Sequence, residues 1–160
     1  IKKMHDDMAR EFGEVREFEG VEMLRFPTLE ELSEASEGEL RELGIGYRAK
    51  YIVETIEILE DGFDHSRIDT MTYENARERM KDLYGVGDKV ADCVLLFSKE
   101  FYEAYPLDTW ALQAVEKHYP QHHSEKYSEV SKNLREHFGK YSGYAQEYLF
   151  HAARKEIIEV

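Results

Sequence analysis

Apolar residues along most of the chain recur three or four positions apart, the spacing of one face of an α-helix. Ile52, Ile56 and Leu59 show this spacing in a segment that stops at Gly62. Alternating apolar and polar runs bounded by turn residues, which are typical of strands, do not stand out. The pattern predicts an all-α protein of about eight or nine helices, with segment 14–27 as a loop. The predicted helices cover about residues 2–12, 28–35, 36–43, 47–60, 72–83, 87–98, 108–118, 126–138 and 142–158.

Short polar signals mark several helix starts. Thr28 and Ser36 each precede a glutamate three residues later, Glu31 and Glu39, which is the spacing of a capping box. Thr72 begins another predicted helix with the same type of capping side chain.

A chain of 160 residues suits one domain, or two lobes, with a substantial core. No apolar stretch approaches the roughly 20 residues of a membrane span, and the first residues lack the apolar core of a signal peptide. The single cysteine, Cys93, excludes an internal disulfide and any four-cysteine zinc or iron–sulfur site. We therefore expect a soluble protein of a reducing, intracellular compartment.

Asp and Glu outnumber Lys and Arg by 34 to 21, which gives a formal net charge of −13. This balance argues against a nucleic-acid partner, because phosphate binding requires positive surface. The acids are spread along predicted helix faces rather than collected in a tail, and a local basic face can persist within an acidic total. Our hypothesis is that the acidic surface is an adaptation to concentrated salt in a halophilic source.

Two short glycine turns carry the first functional signal. Gly85, Val86 and Gly87 join two predicted helices, and the glycines permit positive φ and close approach of another backbone. The free N–H groups of the following helix can bind phosphate, as in a helix-hairpin-helix element. The alternative is a plain αα-hairpin without a ligand. A second turn of this form, GIG at 44–46, precedes an aromatic residue and a cation, Tyr47 and Arg48.

Lys89 stands at the start of the helix after the GVG turn. A cation at the positive end of the helix dipole is unfavourable. The dipole and the apolar neighbours Ala91 and Leu95 favour the neutral amine, so Lys89 is a candidate nucleophile. The alternative is a surface lysine whose charged head reaches solvent.

Asp108 follows Pro106 and Leu107 at the start of another helix and is expected to be its N-cap. A carboxylate held by helix N–H groups stays ionised, so it can also stabilise a developing cation or accept a proton. Asp108 lies 19 positions after Lys89, across one helix and one turn. This connection can bring both side chains to one cleft.

Four segments occur together: GIGYRAKYI at 44–52, LYGVGDKVADCVLLF at 83–97, YPLDTWALQ at 105–113 and GYAQEYLF at 143–150. In this order and spacing they resemble the 8-oxoguanine DNA glycosylases of the helix-hairpin-helix superfamily, the group with a Gly/Pro-rich loop and an aspartate. The resemblance covers most of the chain. It implies a helical enzyme in two lobes with the active-site cleft between them. Such an enzyme flips an oxidised purine out of duplex DNA, excises it and cleaves the abasic strand by β-elimination.

The resemblance also implies roles for individual residues. By motif position, Lys89 is the nucleophile and Asp108 the helper carboxylate. Cys93 and Phe150 sandwich the flipped base, and Gln146 contacts its edge; flat apolar walls and an amide suit a planar base. The spacing of Cys93 and Phe150 alone would favour ordinary core positions.

Towards the DNA, the resemblance assigns Tyr47 and Arg48 to wedging into the duplex and reading the orphaned cytosine. Gly85, Val86 and Gly87 bind the strand. The family implies damaged double-stranded DNA as partner and no iron–sulfur cluster or other cofactor, and it leaves room for a monovalent cation at the hairpin. We expect a monomer in a prokaryotic cytoplasm.

The chain departs from the family in two respects. Trp110 stands two residues after Asp108, where animal members have a histidine, so that phosphate contact is not carried over. The chain opens at Ile1 without a methionine, and we expect the family's amino-terminal β-rich domain to lie outside residues 1–160. We therefore expect residues 1–160 to be one helical domain from a longer protein. Lys3 falls near another cytosine-contacting position.

Other functions compete with this interpretation. A non-catalytic DNA-binding module would use the two hairpins and would need no pairing of lysine and aspartate. Glycosylases for thymine glycol or mispaired adenine usually carry a four-cysteine cluster after the last helix, which this sequence lacks. A metal site at His118, His122 and His123 is the weakest hypothesis, because Pro120 interrupts the helical spacing.

The acidic surface leads to a prediction about salt. Raising KCl from low to molar concentration should raise the midpoint of thermal unfolding, because screening weakens the repulsion among exposed carboxylates. Circular dichroism at increasing temperature measures this midpoint. A midpoint that stays constant or falls over that range contradicts the halophile hypothesis.

Overall fold

The computed structural model describes residues 2–160, and these residues are mostly helical. They contain nine α-helices, one two-stranded antiparallel sheet and three short 3₁₀ helices. The 3₁₀ helices are His65–Thr70, Pro120–His122 and Gly139–Tyr141. The α-helices and strands follow in chain order: α1 Lys2–Phe12, β1 Val15–Phe18, β2 Val21–Leu24, α2 Leu29–Ser33, α3 Glu37–Glu42, α4 Arg48–Glu60, α5 Tyr73–Met80, α6 Asp88–Ser98, α7 Thr109–His118, α8 Tyr127–Phe138 and α9 Ser142–Arg154.

The prediction of a loop over 14–27 is wrong, because β1 and β2 form a hairpin there. The register pairs Val15 with Leu24, and the turn at Glu19 and Gly20 has positive φ at both residues. Each strand has four residues, and all eight side chains are exposed. With neither face buried, the sequence has no apolar and polar alternation to reveal the strands.

The predicted helix starts at Thr28 and Ser36 are confirmed as capping boxes. The Thr28 hydroxyl accepts a hydrogen bond from the Glu31 N–H at 3.2 Å, and the Glu31 carboxylate accepts one from the Thr28 N–H at 2.7 Å. Hydrogen bonds from Arg25 and then from Thr28 lower the pKa of Glu31 to about 2. The predicted helices all form, although α9 ends at Arg154 and not at residue 158.

The chain folds into two compact units, each with its own core. Residues up to Asp64, together with Leu83–Gly85, form the first unit. Its core lies among α1 to α4, where Leu40 and Ala49 are fully buried. The other buried members of this core are Met8, Ala35 and Ile45.

His65–Asp82 and Val86–Val160 form the second unit. In it α5 packs against α6, and α9 packs against both α7 and α8. The buried core cluster consists of Tyr105, Leu107, Ala111, Val115, Val130 and Leu134. Within residues 2–160, none of the helices has the length and apolar composition that crossing a membrane requires.

Candidate active site

One cavity of the second unit, of about 270 Å³, is lined by all five residues that the sequence analysis assigned to catalysis or to base binding. They are Lys89, Cys93, Asp108, Gln146 and Phe150. Three residues without a predicted role complete its lining: Phe97, Pro106 and Glu147. A larger cavity of about 500 Å³ lies beside α7, but it contains none of these side chains. The smaller cavity is therefore the candidate active site.

Helix α6 places Lys89 and Cys93 in the cavity wall. Gly87 is the N-cap of α6, so Lys89 is the second residue of the helix. Cys93 follows four residues later on the same face. Burial raises the pKa of the Cys93 thiol, and the charge and hydrogen bond of the Lys89 side chain oppose that rise. Both side chains line the candidate cavity.

Asp108 is the N-cap of α7, as predicted. One of its carboxylate oxygens accepts a hydrogen bond from the Ala111 N–H at 2.8 Å. In the part of the chain that the structure describes, no lysine or arginine forms an ion pair with Asp108. Its negative charge is therefore available to a positive charge that develops in the cavity.

Helix α9 contributes an amide and an aromatic ring to the cavity wall, the side chains of Gln146 and Phe150. Gln146 is 4% exposed, and within residues 2–160 its side-chain oxygen has no hydrogen-bond partner. Buried polar atoms are nearly always hydrogen-bonded, so this oxygen suits a donor brought by a ligand. The ring of Phe150, one turn later, is half-buried and lies 5.8 Å from the guanidinium carbon of Arg154.

The cavity depends on a close approach of α9 to the rest of the unit at Gly143. The Gly143 N–H donates to the Tyr102 carbonyl at 2.8 Å. A Cβ at this position would overlap the Leu96 side chain. Glycine is therefore required where α9 meets α6.

The sequence analysis missed a buried carboxylate on α6. Asp92 is fully buried and accepts hydrogen bonds from the Tyr73 hydroxyl at 2.6 Å, the Tyr127 hydroxyl at 2.7 Å and Arg77 Nε at 3.0 Å. Burial raises the pKa of Asp92, and the three donors oppose that rise. The sequence does contain a signal, because an aspartate inside the apolar run VADCVLLF needs a buried partner.

The Asp92 network also reaches the segment that carries Asp108. The Tyr127 hydroxyl, which donates to Asp92, accepts a hydrogen bond from the Leu107 N–H at 3.1 Å. One phenol group therefore connects the helix of Lys89 to the residue before Asp108.

Tyr47 and Arg48, which are predicted to contact the DNA, lie in a row of aromatic rings and cations in the first unit. The Arg48 guanidinium lies 4.7 Å from the centre of the Tyr47 ring. Tyr47 contacts Tyr51, and Tyr51 contacts Tyr84, with ring centres 5.5 and 5.4 Å apart. Lys50 lies 5.7 Å from the Tyr84 ring. The three rings are exposed, so this surface presents both stacking groups and positive charge.

The GVG turn has the geometry that its glycines predict. Gly85 has a φ of +78°, and a Cβ there would lie 2.5 Å from the Tyr51 ring. Tyr84, the residue before it, accepts a hydrogen bond from the Thr55 hydroxyl at 3.1 Å. Gly85 therefore lets the turn pass directly over α4.

The histidine metal site finds no support. Among residues 2–160, no three His, Cys, Asp or Glu side chains are arranged to hold a metal ion. His118 contacts the carbonyl of Glu159 at 2.8 Å, and the His122 ring packs on His137 at 4.6 Å. A monovalent cation at the hairpin stays a prediction.

The chain matches a known protein family and several of its named relatives. Residues 2–140 match the family model described as "HhH-GPD superfamily base excision DNA repair protein". The probable N-glycosylase/DNA lyase of Methanothermobacter thermautotrophicus is 36% identical over 94% of this chain and 54% of that protein. The N-glycosylase/DNA lyase OGG1 of Arabidopsis thaliana is 33% identical over 99% of this chain and 47% of that protein.

A solved structure is also similar to this chain. It contains the Clostridium acetobutylicum 8-oxoguanine glycosylase/lyase in complex with double-stranded DNA that has cytosine opposite 8-oxoguanine. The TM-score is 0.88 at 34% identity, over 98% of this chain and 54% of the other. The chain thus spans about half the length of the relatives it matches.

The Asp92 network leads to a stability prediction. Tyr127→Phe should lower the free energy of unfolding by about 1–3 kcal/mol, because it removes one of the three donors to the buried Asp92 carboxylate, the one that binds Oδ2, and leaves the Leu107 N–H without its partner. Urea denaturation measures the change. Tyr105→Phe is the matched control, since the Tyr105 hydroxyl is buried without a hydrogen-bond partner among the described residues. Equal effects of the two substitutions would contradict the role given to Tyr127.

Proposed function

Because the chain belongs to the HhH-GPD superfamily of base excision DNA repair proteins, we propose that it excises 8-oxoguanine from duplex DNA and cleaves the resulting abasic strand. One observation carries the proposal: Lys89 and Asp108 line one cavity with Cys93, Gln146 and Phe150. The names of the relatives, N-glycosylase/DNA lyase and 8-oxoguanine glycosylase/lyase, agree with it.

Each of these cavity residues has a separate role in base release. Cys93 and Phe150 provide the walls between which the flipped base stacks. The side-chain oxygen of Gln146 accepts a hydrogen bond from an N–H on the base edge. The Lys89 amine attacks the C1′ carbon, and the glycosidic bond breaks as the new C–N bond forms. Asp108 stabilises the positive charge that develops on the sugar.

Strand cleavage follows from the covalent bond to Lys89. Opening of the sugar ring turns the C1′–N linkage into a Schiff base. The Schiff base acidifies the proton at C2′, and loss of that proton expels the 3′ phosphate by β-elimination. The same amine therefore serves both reactions.

DNA binding has to occur on a chain with a net charge of −13. We assign it to groups that require little net charge: the N–H groups at the start of α6 and the exposed rings of Tyr47, Tyr51 and Tyr84. Arg48 and Lys50 supply local positive charge beside these rings. The partner is damaged duplex DNA, and we expect the protein to act as a monomer in a prokaryotic cytoplasm.

Substitution of Lys89 tests the proposed function. A duplex with one 8-oxoguanine opposite cytosine is incubated with the protein, and base release and strand cleavage are followed on a gel. Lys89→Gln should retain affinity for this duplex but release no base and form no borohydride-trapped adduct, because the amine is absent. Lys132→Gln, an exposed lysine on α8, is the matched control. Asp108→Asn keeps an N-cap oxygen but should slow base release by about 10²–10⁴-fold.

Other outcomes separate the alternatives. Release of a different damaged or mispaired base by the wild type would keep the glycosylase and change its substrate. Equal affinity for damaged and undamaged duplex without any product would instead indicate a non-catalytic binding module. A trapped adduct that persists in Lys89→Gln contradicts the mechanism.

A further inference from the structure

The candidate active site contains a second carboxylate to which neither the sequence analysis nor the proposed mechanism gives a role. We propose that Glu147 is the general acid of base release, which donates a proton to the departing purine. The inference rests on the proposed function and adds a catalytic residue to it. Glu147 follows Gln146 directly on α9 and lines the same cavity as Lys89 and Asp108.

The two carboxylates of the cavity are held in different ways. Asp108 is held at the start of α7 by the N-cap hydrogen bond that it accepts from the Ala111 N–H at 2.8 Å. Among the residues that the structure describes, Glu147 has no ion pair and no cap to hold. Its side chain is therefore free to adjust to a base in the cavity.

The electrostatic surroundings of Glu147 also favour its protonated form. Glu147 is exposed, but partial loss of solvent at the cavity wall raises the pKa of its carboxyl group, and the negative charge of Asp108 raises it further. The other titratable groups in the cavity wall are Lys89 and Cys93 on α6, and the charge of Glu147 itself acts on the Cys93 thiol. On α9, His151 follows one turn later. Two carboxyl groups in one site are a recurrent arrangement for an acid and an electrostatic stabiliser.

A general acid would assist the departure of the base. When the C1′–N bond to the base breaks, its electron pair leaves with the purine, which becomes an anion unless it is protonated. The neutral Glu147 carboxyl group gives its proton to a nitrogen of the purine as the Lys89 lone pair forms the new bond to C1′. Glu147 is then a carboxylate, the base is neutral, and the positive charge on the new C–N nitrogen lies beside Asp108. Atoms and charge balance without a further reactant.

The experiment compares two reactions of the wild type and Glu147→Gln, which keeps the size of the side chain and removes its acidic proton. The first is single-turnover release of 8-oxoguanine, and it should slow by about 10²–10⁴-fold near neutral pH. The second is borohydride trapping on a duplex with a preformed abasic site, which has no base to expel. Trapping should proceed at the wild-type rate.

The pH profile distinguishes an acid from a structural side chain. Wild-type release needs a protonated Glu147, so its rate should lose the contribution of this acid as the pH rises through the titration of Glu147. Glu147→Gln should lack this loss, so its deficit relative to the wild type should narrow towards alkaline pH. A structural defect would lower the rate by the same factor at every pH.

The control is Glu136→Gln, which removes the same charge from an exposed position on α8. It should match the wild type in both reactions. If the wild type releases 8-oxoguanine and Glu147→Gln releases it equally fast, or if both reactions slow together, the role of Glu147 is contradicted and the proposed function stands. A wild type that neither releases the base nor traps an abasic site contradicts the proposed function itself.

Discussion

The buried charge of Asp92 is the constraint on which the active-site unit depends. A fully buried carboxylate is costly unless it is hydrogen-bonded and paired. Tyr73, Arg77 and Tyr127 meet this requirement and thereby tie α5 and α8 to α6. Since Tyr127 also accepts the Leu107 N–H, the same group fixes the segment before Asp108. The Asp92 network therefore fixes the segments that carry Lys89 and Asp108, although neither side chain forms a hydrogen bond within it.

In the proposed function, the two units have different tasks, which would allow an acidic chain to bind DNA. The first unit presents tyrosine rings in edge-to-face contact, with Arg48 and Lys50 beside them. The second unit holds the cavity, where the proposed mechanism uses carboxylates. Net charge therefore informs about solubility and association more than about the site itself.

Much of the fold and of the cavity was predictable, because each feature has a local signal. Capping residues such as Thr28 and Ser36 mark helix starts, and the motifs around Lys89 and Asp108 indicate the residues that the cavity brings together. The β1–β2 hairpin was missed because its exposed strands bury no face. The partners of Asp92 could not be read from sequence, since they lie 15 to 35 positions away. Glu147 received no role because a glutamate on a helix carries no local signal that it lines a cavity.

In the proposed mechanism the Lys89 amine forms a covalent bond to the sugar, and this bond can be trapped and located by mass spectrometry. The protein is incubated with duplex DNA containing 8-oxoguanine, reduced with borohydride, digested with protease and analysed by mass spectrometry. The account predicts that the reduced sugar adduct is found on the peptide that contains Lys89, at the Lys89 side chain. An adduct on another lysine or on the amino terminus, with Lys89 unmodified, would contradict it.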